Sequence, residues 1–194
     1  MKLGAIGVRV HSGWSVLVAV SGDASAPEIV DRRHIVIIDP SIAGAKQPYH
    51  FAETLAIEAA EKHISRCAEV SQRLALKAID ETLHELRGRG YKVAGCALLL
   101  ASGRKLPSLP DILASHALIH TAEGEFFRKV VREAFEELHV PVTGARERDI
   151  EEQAQATPMM ERLSMLGRSI GPPWTKDEKT ATLAGLMLLG GNLR

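Results

Sequence analysis

Residues 3–21, LGAIGVRVHSGWSVLVAVS, decide the fold class of this chain. β-branched and other apolar residues fill most positions on both sides of Ser12-Gly13, and the glycine permits the backbone of a tight turn. The stretch therefore predicts a β-hairpin. A third strand is predicted over residues 29–38, which end in four apolar residues before Asp39-Pro40. Three consecutive strands with short links predict an antiparallel meander.

The next part of the chain changes from helical to strand periodicity. Residues 48–87 carry apolar side chains at helical intervals, which predicts one long helix with a kink near Cys67 or Ser71. Residues 91–101 then contain a continuous apolar run, as in a strand that is buried on both faces. The predicted elements after this strand are a short helix over 111–116, a longer helix from Thr121, a short strand over 140–143 and further helices.

This order of elements resembles the ribonuclease H-like fold, in which a three-stranded antiparallel meander continues into two parallel strands and helices flank the mixed sheet. The resemblance implies a ribonuclease H-like α/β domain over residues 1–155. Residues 156–194 are expected to form a helical C-terminal extension that packs on this domain. Within that extension, residues 176–184, KDEKTATLA, resemble the last helix of Holliday-junction resolvase relatives, which bears an aspartate.

The resemblance also implies where a nuclease of this fold would hold two magnesium ions, which require carboxylate oxygens. Such nucleases place acids on the first strand, the fourth strand and a later helix. Here the first strand offers Arg9 and His11, and the fourth offers Cys96 and leucines. Asp177 is available on the last helix, although Thr175 and Glu178 have the spacing of a capping box, which explains the acids there structurally. The standard two-metal mechanism is therefore not expected. Phosphotransfer of the sugar-kinase type is not expected either, because His11-Ser12-Gly13 lacks the acid of that turn.

Composition narrows the function classes further. Lys plus Arg and Asp plus Glu number 24 each, so the formal net charge is zero, whereas proteins that bind nucleic-acid phosphates usually carry a basic excess. Cys67 and Cys96 have no CxxC partner and are expected to be free thiols in a reducing compartment. The sequence predicts no secretory leader and no membrane span, because the apolar run over 183–189 is too short. A cytoplasmic protein is expected.

The densest group of chemically capable side chains lies in residues 115–125, SHALIHTAEGE. In one continuous helix, His116 and His120 would lie one turn apart on one face, which is ligand geometry for zinc. Thr121, however, has the character of an N-cap, with Glu123 and Glu125 in the first turn that follows it. The structural interpretation is therefore a capping segment. The functional interpretation is an acid/base pair in which Glu123 or Glu125 orients His120.

Two further segments are predicted to contribute to this site. The loop Ser102-Gly103-Arg104-Lys105 leaves the carboxyl end of the buried strand, where ligands bind in open α/β sheets, and its groups suit an anion. A solvated turn explains the same loop. His11 lies at the mouth of the first hairpin and is expected to join His116 as a secondary contributor.

Two functional hypotheses follow. The first is a hydrolase or transferase that acts on a phosphorylated or other anionic substrate through the His/Glu site. The alternative is a non-catalytic protein- or RNA-binding module built on a degenerate ribonuclease H-like fold, with protein partners or self-association favoured over RNA. The low aromatic content of 4% also disfavours base stacking. A divalent metal is compatible with the histidines but the sequence does not require one. A pocket lined by the histidines and the loop would favour the enzyme.

Overall fold

The computed structural model of the chain describes residues 1–23, 25–100, 105–155 and 159–193. Its centre is a five-stranded mixed sheet in the order β3-β2-β1-β4-β5. The strands are β1 (Lys2–His11), β2 (Trp14–Gly22), β3 (Pro27–Val36), β4 (Tyr91–Leu100) and β5 (Val142–Arg146). β2 pairs antiparallel with β1 and β3, whereas β4 runs parallel to both β1 and β5. The predicted meander with two parallel strands is confirmed.

Seven helices surround this sheet in the described part of the chain. They are α1 (Pro48–Ala52), α2 (Ile57–Gly88), α3 (Leu109–Leu113), α4 (His116–Glu137), α5 (Glu147–Gln155), α6 (Met159–Ile170) and α7 (Lys176–Leu189). The prediction of one helix over 48–87 was wrong. Pro48 is the first residue of α1, a position where its missing amide proton costs no hydrogen bond. Residues 53–56 are not helical and separate α1 from α2. α2 then runs without interruption through Cys67 and Ser71.

The start of α4 also differs from the prediction. The helix begins at His116, after Ser115, whose carbonyl accepts hydrogen bonds from the amides of Leu118 and Ile119. Thr121 is not an N-cap, because its Oγ1 donates to the carbonyl of Ala117 one turn earlier. The preceding short helix ends at Leu113 and does not reach 116 as predicted. His116, His120 and the glutamates after them therefore belong to one continuous helix.

Helices cover both faces of the sheet. On one face, α2 and α4 close the main core, whose largest fully buried side chains include Phe127, Phe135 and Ile79. On the opposite face, α7 covers Val16, Val18 and Val20 of β2, and α5 and α6 pack beside it. The result is a three-layer arrangement in which the sheet is buried on both sides.

Glycine allows α7 to lie directly against β1. A Cβ placed on Gly7 would lie 1.7 Å from the carbonyl oxygen of Ala181 and 3.0 Å from the amide nitrogen of Gly185. No side chain fits between these two backbones, so the strand and the helix can approach this closely only with glycine at position 7. This contact fixes the height of α7 above the sheet.

The N-terminus of α7 carries the capping box that the sequence predicted. The Asp177 amide donates to Thr175 Oγ1 at 3.2 Å, and the Thr175 amide donates to Glu178 Oε2 at 2.8 Å. Burial raises the pKa of Glu178, but the hydrogen bonds from Thr175 outweigh it and hold this pKa below its ordinary value. The capping box of Thr175 and Glu178 fixes the start of α7, where Asp177 lies beside Arg9 and His11 at the carboxyl end of β1.

Candidate functional site

The first turns of α4 bring two histidines together. Because α4 begins at His116, residues 116 and 120 lie one turn apart on the same face. Their Nε2 atoms are 3.1 Å apart, and both residues are exposed. The single-face geometry that the sequence allowed as one interpretation is therefore the geometry that the helix adopts.

A third histidine, His50 of α1, completes the cluster and was not predicted. One ring nitrogen from each of His50, His116 and His120 lies within 4.8 Å of the other two. The ring centroid of His50 is 4.6 Å from that of His120 and 5.2 Å from that of His116. We refer to these three residues as the histidine cluster.

Glu123 supports the histidine cluster from beneath. Its side chain is almost fully buried, its Oε1 accepts a hydrogen bond of 3.1 Å from the amide of His50, and its Oε2 lies 2.9 Å from His50 Nδ1. The same carboxylate therefore holds the backbone of His50 by a hydrogen bond, whereas Nδ1 of the ring, although close, is buried without hydrogen-bond geometry to any partner. Burial, and then the negative charge of Glu123, raise the pKa of the neighbouring Tyr49. Glu123 lies inside α4 and does not cap that helix; it links α4 to α1 by accepting a hydrogen bond from a first-turn amide of α1.

Other residues predicted for the site lie elsewhere. Glu125 projects from a different face of α4, with its Oε1 3.9 Å from Arg128 Nη1. His11 contacts Asp177 and stacks on Trp14, so it belongs to a second cluster. Lys105 is exposed, and the next residue, Leu106, packs in a small apolar group with Tyr49 and Ile119 under the histidines. Ser102, Gly103 and Arg104 lie outside the described residues.

A cavity of about 630 Å³ lies between α2 and α4. Its walls include Tyr49, Gln72, Glu125, Phe126 and Lys129. Glu125 is the predicted site residue that faces this cavity, whereas the histidine cluster occupies the neighbouring face of α4. The expectation of one pocket shared by His116, His120 and the loop is therefore not met by this cavity. His116 and His120 nevertheless lie together with His50 in one cluster.

The second cluster occupies the carboxyl end of β1, where the resemblance would place magnesium. Arg9 Nη1 lies 3.1 Å from Asp177 Oδ1, and Arg9 Nη2 lies 3.1 Å from Glu147 Oε2. His11 Nε2 lies 2.9 Å from the other oxygen of Asp177. We call Arg9, His11, Glu147 and Asp177 the arginine cluster. Its two carboxylates share one guanidinium, so a pair of magnesium ions would first have to displace Arg9.

Neighbouring charges reinforce the arginine cluster. Lys176 Nζ lies 2.7 Å from Glu147 Oε1 and 3.1 Å from Glu151 Oε1. Burial raises the pKa of Glu147, but Lys176 and Arg9 outweigh it and hold this pKa below its ordinary range. The hydrogen bond that Lys176 donates to Glu147 in turn raises the pKa of Lys176. These groups therefore form one connected network of ion pairs at the carboxyl end of β1.

Solved structures of RuvC resemble this chain over its whole length. RuvC of Thermus thermophilus in complex with a Holliday junction substrate matches with a TM-score of 0.57 and 14% identity, over 99% of this chain and 98% of RuvC. A second Thermus thermophilus RuvC structure matches with a TM-score of 0.55 and 15% identity, over 100% and 99%. These likenesses and the mixed sheet confirm the ribonuclease H-like fold.

The sequence itself matches no protein-family model and no curated protein. In the part of the chain that the structure describes, none of the helices combines the length and the apolar character that crossing a bilayer requires. The comparisons therefore establish the fold, and the side chains must carry any argument about function.

Proposed function

We propose that the protein is a hydrolase of a phosphorylated or other anionic substrate, with water activated at the histidine cluster. The observation that carries this proposal is the convergence of His50, His116 and His120 above the buried carboxylate of Glu123. Imidazole is suited to the task because it gains and loses protons near neutral pH. Glu123 holds the backbone of His50, and the ring of His50 in turn packs edge to face against His116 and His120.

The roles of the residues follow from their exposure. His116 and His120 are exposed and would face the substrate, whereas His50 is held by Glu123. If the histidines act without a metal ion, His120 would take a proton from the attacking water. The water oxygen then bonds to phosphorus, the ester P–O bond breaks, and the leaving oxygen takes a proton from the protonated form of His116.

The preference for an anion rests on two features beside the cluster. His116 is in the first turn of the 22-residue helix α4, where the backbone amides and the helix dipole favour negative charge. Lys105 precedes Leu106, which packs against the elements that carry the cluster. This placement supports the predicted role of Lys105 in substrate binding.

The proposal predicts that His120→Ala removes hydrolysis and leaves the fold intact. The probes are p-nitrophenyl phosphate and bis(p-nitrophenyl) phosphate, and release of p-nitrophenolate is measured near pH 7. We expect a loss of about 10²–10⁴-fold, the usual contribution of a positioned acid/base group. His84→Ala, on an exposed part of α2, is the matched control and should hydrolyse at the wild-type rate. Equal rates for the wild type and His120→Ala, or a wild-type protein inactive on both esters, would count against the proposal.

A second candidate is a non-catalytic module of the fold that binds protein or nucleic acid. The observation that favours it is the arginine cluster, because Arg9 and His11 already engage the acid of α7. One structural neighbour is in complex with a Holliday junction substrate, so branched DNA is the first ligand to test. Formal neutrality of the chain still favours a protein partner over nucleic acid.

This candidate predicts binding without cutting. A labelled four-way DNA junction is incubated with the protein and Mg²⁺, and both its mobility and its length are followed on gels. A module should retard the junction, more weakly as salt rises, and leave every strand intact. Strand cleavage that depends on Mg²⁺ would refute the expectation that the arginine cluster excludes two-metal chemistry. A junction that is neither retarded nor cut would leave proteins as the partner class for this candidate.

A further inference from the structure

The histidine cluster has the dimensions of a metal site. A tetrahedral ion bound at 2.0–2.1 Å by several nitrogens holds those nitrogens about 3.3 Å apart. The Nε2 atoms of His116 and His120 are already 3.1 Å apart, and the nitrogen of His50 lies within 4.8 Å of both. Three nitrogens would surround one ion if the nitrogen of His50 came to about 3.3 Å from the other two.

Burial does not explain why these rings converge. His116 and His120 are exposed, so water could satisfy their ring nitrogens separately, whereas Nδ1 of His50 is buried without a hydrogen-bond partner. A shared ligand gives the arrangement a function that separate histidines would not need.

Glu123 supplies what the third ligand requires. Metal-binding histidines usually present their second ring nitrogen to a carboxylate or carbonyl, which fixes the tautomer and the ring orientation. Glu123 Oε2 lies 2.9 Å from His50 Nδ1, which is buried and has no hydrogen-bond partner, so a small rotation of the ring would let Nδ1 donate to Glu123 and leave Nε2 for an ion. The amide of His50 donates to the other oxygen of Glu123, so the position of α1 is tied to the same group.

The donor set selects the class of ion. Three imidazole nitrogens suit borderline divalent ions such as Zn²⁺, whereas Mg²⁺ prefers oxygen ligands. Three protein ligands also leave one coordination position of a tetrahedral ion open, as in catalytic zinc sites. Because His116 and His120 are exposed, this open position would face solvent and substrate.

We propose that His50, His116 and His120 bind one divalent transition ion of the Zn²⁺ class, with Glu123 orienting His50. The inference builds on the proposed function, because the ion would be the group that activates the water. The imidazoles then act as ligands, and the ion-bound water releases its proton to solvent instead of passing it to His120. The resulting hydroxide would attack phosphorus, the ester P–O bond would break, and the leaving oxygen would take its proton from solvent, because His116 as a ligand has none to give.

The test measures metal binding separately from activity. The full chain, prepared without a histidine tag and stripped with EDTA, is titrated with Zn²⁺ by calorimetry. We expect one ion per chain. His116→Ala should weaken binding at least about 100-fold and Glu123→Gln about 10–100-fold, as for the loss of a ligand and of its supporting carboxylate. Titration with Co²⁺ should give the visible absorption of a tetrahedral site, and circular dichroism shows whether each variant is folded.

Two matched variants test whether the binding belongs to this site. His84→Ala removes an exposed histidine of α2, and Cys67→Ser removes a thiol whose Sγ lies 3.5 Å from His63 Nε2. Both should bind Zn²⁺ like the wild type. Lack of stoichiometric binding, binding that survives His116→Ala, or binding lost in Cys67→Ser would overturn the inference.

The metal inference and the proposed function can fail independently. If hydrolysis of the esters depends on His120 but the protein binds no Zn²⁺, the proposed hydrolase is supported and the metal site is refuted. Stoichiometric zinc binding without hydrolysis of either ester would establish the ion and count against the hydrolase.

Discussion

Gly7→Ala is expected to destabilise the protein by about 3 kcal/mol or more, at the upper end of the cost of overpacking. The new methyl group would lie 1.7 Å from the carbonyl oxygen of Ala181. Both partners are backbone, so no side-chain rotation can relieve the overlap, and α7 has to move away from β1. That movement opens the apolar interface that covers Val16, Val18 and Val20. Urea unfolding followed by circular dichroism measures the loss.

The matched control is Gly88→Ala at the end of α2. A Cβ there would meet nothing within 4 Å, and the residue is helical. Alanine should therefore leave the free energy of unfolding unchanged or raise it by about 0.5–1 kcal/mol. Equal stability of Gly7→Ala and the wild type would mean that α7 does not lie this close to β1.

Arg9→Met is expected to lower the free energy of unfolding by about 2–3 kcal/mol. Methionine replaces the aliphatic stem of the arginine but removes the guanidinium shared by Glu147 and Asp177. The side chains of Arg9 and its two partners are only 21–29% exposed, so water compensates the stranded carboxylates incompletely. The measurement is again urea unfolding at neutral pH.

Arg148→Met provides the comparison for Arg9→Met. The side chain of Arg148 is 74% exposed and pairs with Asp149 and Glu152 at the surface, so its loss should change stability by less than about 0.5 kcal/mol. Adding Asp177→Asn to Arg9→Met should recover part of the loss, because one stranded charge disappears. Additive effects of the two substitutions would show that the pair is not coupled.

Most of the sheet could be predicted because its signals are local. The turn at Ser12-Gly13, the β-branched strands beside it and the apolar run of β4 each specify one element. The helix starts were harder to predict. Thr121 has the residue type of a cap, but its hydroxyl finds a carbonyl inside α4. The helix is interrupted before Ile57, and α1 is tied to α4 by the hydrogen bond from the amide of His50 to Glu123. Because these two residues lie far apart in the sequence, local periodicity could not reveal the interruption.

The candidate site was predictable in part for the same reason. His116, His120 and Glu123 lie within eight residues of each other, so one helix face brings them together. His50 joins them through the packing of α1 on α4, and no spacing in the sequence indicates that contact. In the sequence, Arg9 stands where nucleases of this fold have an acid, and Asp177 matches the aspartate of their last helix. The ion pair between the two residues depends on how α7 docks on the sheet, which the sequence does not indicate.

The contact of Gly7 with Ala181 and Gly185 joins the first strand to the last helix, so it cannot form until almost the whole chain has been synthesised. β1 leaves the ribosome many residues before α7 exists, so one side of the young sheet has no cover until translation reaches the partner helix. Such long sequence separation slows folding and leaves apolar surface open to aggregation meanwhile. Nascent chains arrested before residue 176 should therefore depend on chaperones.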